Sequence, residues 1–221
     1  LETGRTLFSD IRLVFPLAVL ATLLVSLIGL RSLAGMTLPL TVNGISLLVT
    51  MAIFIRTGHA LNFVTVIMPP VIFVVGFAYA VHVVSDFERA RQQGQEKLAA
   101  IKHAVRDVFM PLTLTAFTTA VGFISLVASN IDTIKVFGIF SALGTLFAWL
   151  GAVILVPAGL ALLPAGRVSA AGGGSLLAFA PRLSRFDLEN RKAIFAIGFI
   201  VAALSVIFAN RITVGTDYLR N

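Results

Sequence analysis

Residues 63–84 read FVTVIMPPVIFVVGFAYAVHVV, a run without a single Asp, Glu, Lys or Arg. An α-helix rises 1.5 Å per residue, so this stretch is about 33 Å long, enough to cross a hydrocarbon core of roughly 30 Å. Five further stretches meet the same requirement, near 14–32, 37–55, 111–129, 136–163 and 193–210. The totals agree: 58% of the 221 residues are hydrophobic and 12% are charged. That is more apolar surface than one water-soluble core of this size can bury. The expected fold is all-α, a polytopic transmembrane helix bundle with about six membrane-spanning helices.

Lys and Arg number seventeen against ten Asp and Glu. The excess sits at the ends of apolar segments, which signals membrane orientation and not nucleic acid as a partner. If the first span runs from outside to inside, eleven basic residues collect on the inner side, among them Arg89, Arg91, Lys97, Lys102 and Arg106, and six on the outer. Both chain ends then face outward. The first span does not read as a signal peptide, because Glu2, Arg5, Asp10 and Arg12 precede it and a second span follows within a few residues. Cysteine is absent, which excludes disulfides, thiol nucleophiles and thiolate metal sites. No G-x-S-x-G, H-E-x-x-H or G-x-x-x-x-G-K-[ST] pattern occurs. Enzymatic activity, a catalytic residue, a cofactor and a bound metal are therefore not expected.

The chain divides by composition. Residues 1–13 lead into the membrane from an outer domain, and 14–164 form a five-helix core. Near 94–109, Leu98, Ile101, Val105, Val108 and Phe109 recur at helical spacing opposite Lys97, Lys102 and Arg106, as in an amphipathic helix lying on the inner surface. Residues 165–192, opening AGRVSAAGGGS, read as a linker. Residues 193–212 hold one more span, and 213–221 turn polar as if a second outer domain began.

The polar residues within these spans carry the functional signal. Tyr79, His82 and Asp86 stand at i, i+3 and i+7, on one helix face. Polar groups are costly in hydrocarbon unless paired or turned inward, so this face should point into the bundle. One reading makes His82 a proton acceptor, because imidazole changes charge near neutral pH. The other lets it reach interfacial water or pair with Asp86, since it lies close to the end of its span. Thr113, Thr115, Thr118, Thr119 and Ser125 mark the next span. Their hydroxyls either return to the helix backbone at a packed interface, with Thr119 and Gly122 as closest approach, or line a path beside Tyr79 and His82. Gly138, Ala142, Gly144, Ala148, Gly151 and Ala152 form small-xxx-small spacings that let helix backbones approach closely. Pro69 and Pro70 remove two backbone donors, a kink that is either a hinge or a fixed bend.

Taken in order, these features resemble the resistance–nodulation–division (RND) superfamily, in its MmpL-like and hopanoid-transporter-like exporter branch, which shares a membrane core with sterol-sensing domains. The resemblance is carried by FSDIRLVFPLAVL, LRSLAGMTLPL, VTVIMPPVIFVVGFAYAVHVVSDFERAR, DVFMPLTLTAFTTAVGFISLVASNIDTIKVFGIFSALG, ILVPAGLALLP and TVGTDYLRN, nearly the whole chain in family order. It implies that the spans are the family's second to seventh helices, from the inner membrane. It also implies partners: membrane lipids, a lipid or other hydrophobic substrate, large periplasmic domains, a second transmembrane half and a possible homo-oligomer. Such proteins export hydrophobic molecules on the proton-motive force, coupled through a G-x-D-Y motif. The matching residues here are Gly76-Phe77-Ala78-Tyr79, so an alanine stands at the acidic position. That departure leaves three routes: His82 or Asp86 substitutes, the other half titrates, or protons do not drive this member. The rival readings are a sterol-sensing-like lipid-binding module without transport and an accessory bundle.

Overall fold

The computed structural model of the chain describes residues 33–162 continuously, together with residues 16, 17, 19, 20, 22 and 24. Between 33 and 162 the chain forms α1 (Leu33–Arg56), α2 (Met68–Gln92), α3 (Lys97–Ile124), α4 (Asp132–Leu150) and α5 (Val156–Leu162). A π-helical turn, Gly151–Leu155, joins α4 to α5, and 3₁₀ turns occupy Thr65–Ile67 and Ser125–Ala128. Among the described residues four helical segments are long and apolar enough to cross a membrane: Thr37–Arg56, Thr65–Gln92, Lys97–Ala128 and Asp132–Leu162. The all-α bundle is as expected, with four spans instead of six in the described part. The expected spans at 14–32 and 193–210 lie wholly or mostly outside the described residues, as do the linker and the outer segments at either end.

Glycine ends the first two helices by the same geometry. Gly94 adopts φ 83°, its N–H donates to the Arg91 carbonyl at 3.1 Å, and the Gln95 N–H reaches back to Ala90 at 3.2 Å. Gly58, at φ 79°, repeats the arrangement after α1 with bonds from Gly58 to Ile55 and from His59 to Phe54. A left-handed residue here lets the chain turn while the last carbonyls of the helix stay bonded, and glycine adopts it without a Cβ penalty. Pro69 and Pro70 occupy the first turn of α2. There their missing N–H groups would have had no helical partner. The pair therefore marks the junction between the 3₁₀ turn and α2, and the bend sequence reading put inside the span falls at its start.

Charged residues continue the helices past their apolar windows. α2 runs through SDFERARQ to Gln92, and the amphipathic stretch near 94–109 enters α3 without a break. Ala100, Ile101 and Ala104 bury that part of α3 in the same core cluster as Val83, Val84 and Phe87 of α2.

α2 is the central element, packed on α1, α3 and α4. Small residues set the spacing. A Cβ placed on Gly76 would stand 2.0 Å from Asn43 Oδ1 and 2.7 Å from Ala148 Cβ. One on Gly144 would meet Ile72 at 2.3 Å, and one on Gly151 would meet Ser46 Oγ at 2.8 Å. Gly138 lies under the Phe123 carbonyl of α3. Without a hydrophobic drive in lipid, such close approach supplies the dispersion contacts that hold helices together. Asn43, 1% exposed, donates from Nδ2 to the Phe73 carbonyl at 2.6 Å and so bonds α1 to α2. We predict that Gly76→Ala lowers bundle stability by about 1–3 kcal/mol, because the Asn43 amide can rotate but the Ala148 methyl cannot. Thermal unfolding of the full-length protein in detergent would measure it, and an unchanged midpoint would refute the contact.

Candidate functional site

Of the polar residues singled out on α2, His82 lies on an uncovered stripe, Asp86 is half-buried and Tyr79 is buried. Ala78 and His82 are exposed, while Gly76, Phe77, Tyr79, Ala80 and Val83 are buried. Ala78, Tyr79 and His82 form one wall of a cleft of about 270 Å³, and Asp107, Val108, Pro111, Leu112 and Thr115 of α3 form the other. Pro111 has no N–H to return to the carbonyl of Asp107, so that oxygen loses its helical partner beside the cleft. The lining is largely apolar, with an imidazole, a phenol, a carboxylate and a hydroxyl among its groups.

Tyr79 is 4% exposed. Its hydroxyl lies against Thr119 without reaching hydrogen-bond geometry and is otherwise shut off from solvent. His82 makes no hydrogen bond among the described residues. Asp86 is not its partner: Asp86 Oδ1 accepts from Arg89 Nη1 at 3.1 Å on the same helix. Across on α3, His103 Nε2 and Asp107 Oδ2 are 3.4 Å apart. Asp86, His103 and Asp107 together offer one ligand atom each, all within 4.8 Å of one another. Sequence reading missed this group. The i, i+4 spacing of His103 and Asp107 was visible, but their meeting with Asp86 depends on how α2 and α3 are aligned.

The threonine hydroxyls donate within α3, and Thr115 also lines the cleft with Tyr79 and His82. Thr113 donates to the Phe109 carbonyl at 2.6 Å, Thr115 to Pro111 at 2.8 Å, Thr118 to Leu114 and Thr119 to Thr115 at 2.7 Å. Each hydroxyl proton is thus returned to its own helix. Thr118 is exposed on α3, Thr119 is half-buried against Tyr79, and nothing described lies within 4 Å of a Cβ on Gly122. Among the described residues Thr119 meets α2 at Tyr79 while Gly122 meets nothing, and Gly138, Gly144, Ala148 and Gly151 sit in tight contacts. Glu88, also missed, is 7% exposed, with Oε1 unpartnered among the described residues. It stands in the charged run Asp86-Phe87-Glu88-Arg89, where the sequence gave no sign of which face would be buried.

The family model described as the MMPL family matches residues 6–182. The chain belongs to the MMPL family. It is similar, at 27% identity over 157 residues, to "Probable transport protein MmpL12" of Mycobacterium tuberculosis strains CDC 1551 / Oshkosh and ATCC 25618 / H37Rv. The match covers 69% of this chain and 14% of those relatives, so the chain spans a small part of their length. Membership in this MmpL-like branch of the RND superfamily, together with four membrane-competent helices, makes it a multi-pass membrane protein.

One threonine does hold a second helix. Trp149 Nε1 of α4 donates to Thr113 Oγ1 at 3.1 Å. Thr113→Val should strand that N–H and cost about 1 kcal/mol, whereas Thr118→Val should stay within about 0.5 kcal/mol of wild type. Thermal melts of the two variants, side by side, check the distinction; equal effects would contradict it.

Proposed function

We propose that this chain is the membrane portion of an RND-type transporter that exports lipids or other hydrophobic molecules, driven by the proton-motive force. In this reading it lies in the inner membrane with both ends toward the periplasm, works with periplasmic domains and a second transmembrane half, and has no enzymatic activity. Support comes from the MMPL-family match and from the transport role in the name of the MmpL12 relatives. The observation that supports the coupling is the α2–α3 cleft, which has exposed His82 and Tyr79 on one wall. An imidazole with no hydrogen-bond partner can take up a proton and release it without breaking an existing contact. A change of charge on one face of the central helix alters its attraction to whatever covers that face, and so biases rocking of the bundle.

A second reading is a lipid-binding, sterol-sensing-like module without transport. It is favoured by Ala78, which puts a methyl group where the family's coupling motif has an acid. Reconstitution separates the two. Full-length protein in proteoliposomes should move a lipid probe in response to a pH gradient, and His82→Ala should reduce that response at least tenfold with its folding unchanged. Gradient-driven transport that survives His82→Ala would remove His82 from coupling. A wild type indifferent to the gradient would favour the sensor.

A further inference from the structure

Where the α2–α3 pair leaves its apolar stretch, three metal-ligating side chains converge from two helices. Asp86 comes from α2, while His103 and Asp107 sit one turn apart on α3. We propose that Asp86, His103 and Asp107 bind a divalent transition-metal ion of the zinc class that bridges α2 and α3. This inference does not depend on the transport reading.

The donor set and its spacing carry the argument. Their ligand atoms lie within 4.8 Å of one another, and His103 Nε2 is 3.4 Å from Asp107 Oδ2. Two ligands at 2.0–2.1 Å on a tetrahedral ion stand roughly 3.3 Å apart, so the α3 pair already has the required separation. Small side-chain rotations of Asp86 close the remaining distance. Ligands at i, i+4 share one face of a helix, a spacing that zinc centres use.

Asp86 adds an independent sign. Its side chain keeps 14% of its exposure, and Oδ2 is cut off from solvent with no hydrogen-bond partner among the described residues. A desolvated carboxylate oxygen with nothing to accept is costly, and a cation removes that cost. Arg89 binds the other oxygen, Oδ1, at 3.1 Å, which fixes the carboxylate and leaves Oδ2 as its free donor. With one of the two carboxylate charges offset by Arg89, the cluster still carries a net negative charge toward a cation. The imidazole decides the class of ion. Nitrogen with two carboxylates suits zinc and its first-row neighbours, whereas magnesium and calcium take all-oxygen shells. Three protein ligands leave the fourth position to water. Because Asp107 also lines the cleft, an ion held here would draw that carboxylate out of it.

Zinc chloride titrated calorimetrically into chelator-stripped, full-length protein in detergent tests the site. The expected result is a saturable site that weakens at least tenfold in His103→Gln and in Asp86→Asn and is unchanged in His59→Gln. His103→Cys should retain it, since a thiolate replaces the imidazole as ligand. Should one variant fail to fold by size exclusion, the other two ligand substitutions decide. Absence of zinc binding in wild type, or binding equally strong without His103 or Asp86, would overturn the proposal.

Discussion

Among the described glycines the tightest position is Gly76, where α2 lies against Asn43 of α1 and Ala148 of α4 with no room for a side chain. Most else about α2 follows from that contact. A helix pressed inward at Gly76 must also turn Ile72, Ala80 and Val83 inward, and these are nearly fully buried. The opposite stripe, with Val74, Ala78 and His82, then has nowhere to go but outward. The bond from Asn43 to the Phe73 carbonyl fixes the rotation, since a polar pair in a dry interior tolerates little slippage. The polar face of α2 is thus displayed because its small-residue face is committed elsewhere.

Turning the stripe outward also defines what the missing acid means. Ala78 is on the cleft wall, at the position where an aspartate would face the same space as His82 and Thr115. The cleft holds an imidazole that makes no hydrogen bond among the described residues and a buried phenol, while acidic groups gather nearer the α2–α3 turn, at Asp86 and Asp107. Arg89 and His103 accompany them there, so charge is concentrated at one end of the cleft.

Much of the bundle was readable because hydropathy records length. The windows 37–55, 63–84, 111–129 and 136–163 each contain most of a spanning segment. Their ends were not, since α2 and α3 continue as charged helix for two turns or more beyond the membrane-competent composition, and only the positive φ at Gly94 stops the first of them. The shared face of Tyr79 and His82 followed from period 3.6. The nearness of Asp86 to His103 and Asp107 did not, because it is a matter of inter-helix register. Nothing described packs on Gly122, since small-residue spacing permits close packing without requiring it. The threonine hydroxyls donate to their own helix, while Thr115 also lines the cleft.

The account rests on α2 being turned so that Ala78 and His82 face an accessible cleft while Ala80 and Val83 face the core. Single cysteines at these four positions, in full-length protein freed of any other cysteine and kept in native membranes, can be reacted with a small water-soluble maleimide. Ala78→Cys and His82→Cys should label at least tenfold faster than Ala80→Cys and Val83→Cys. Equal rates at all four, or faster labelling at Ala80→Cys, would contradict the orientation of α2 and with it the site.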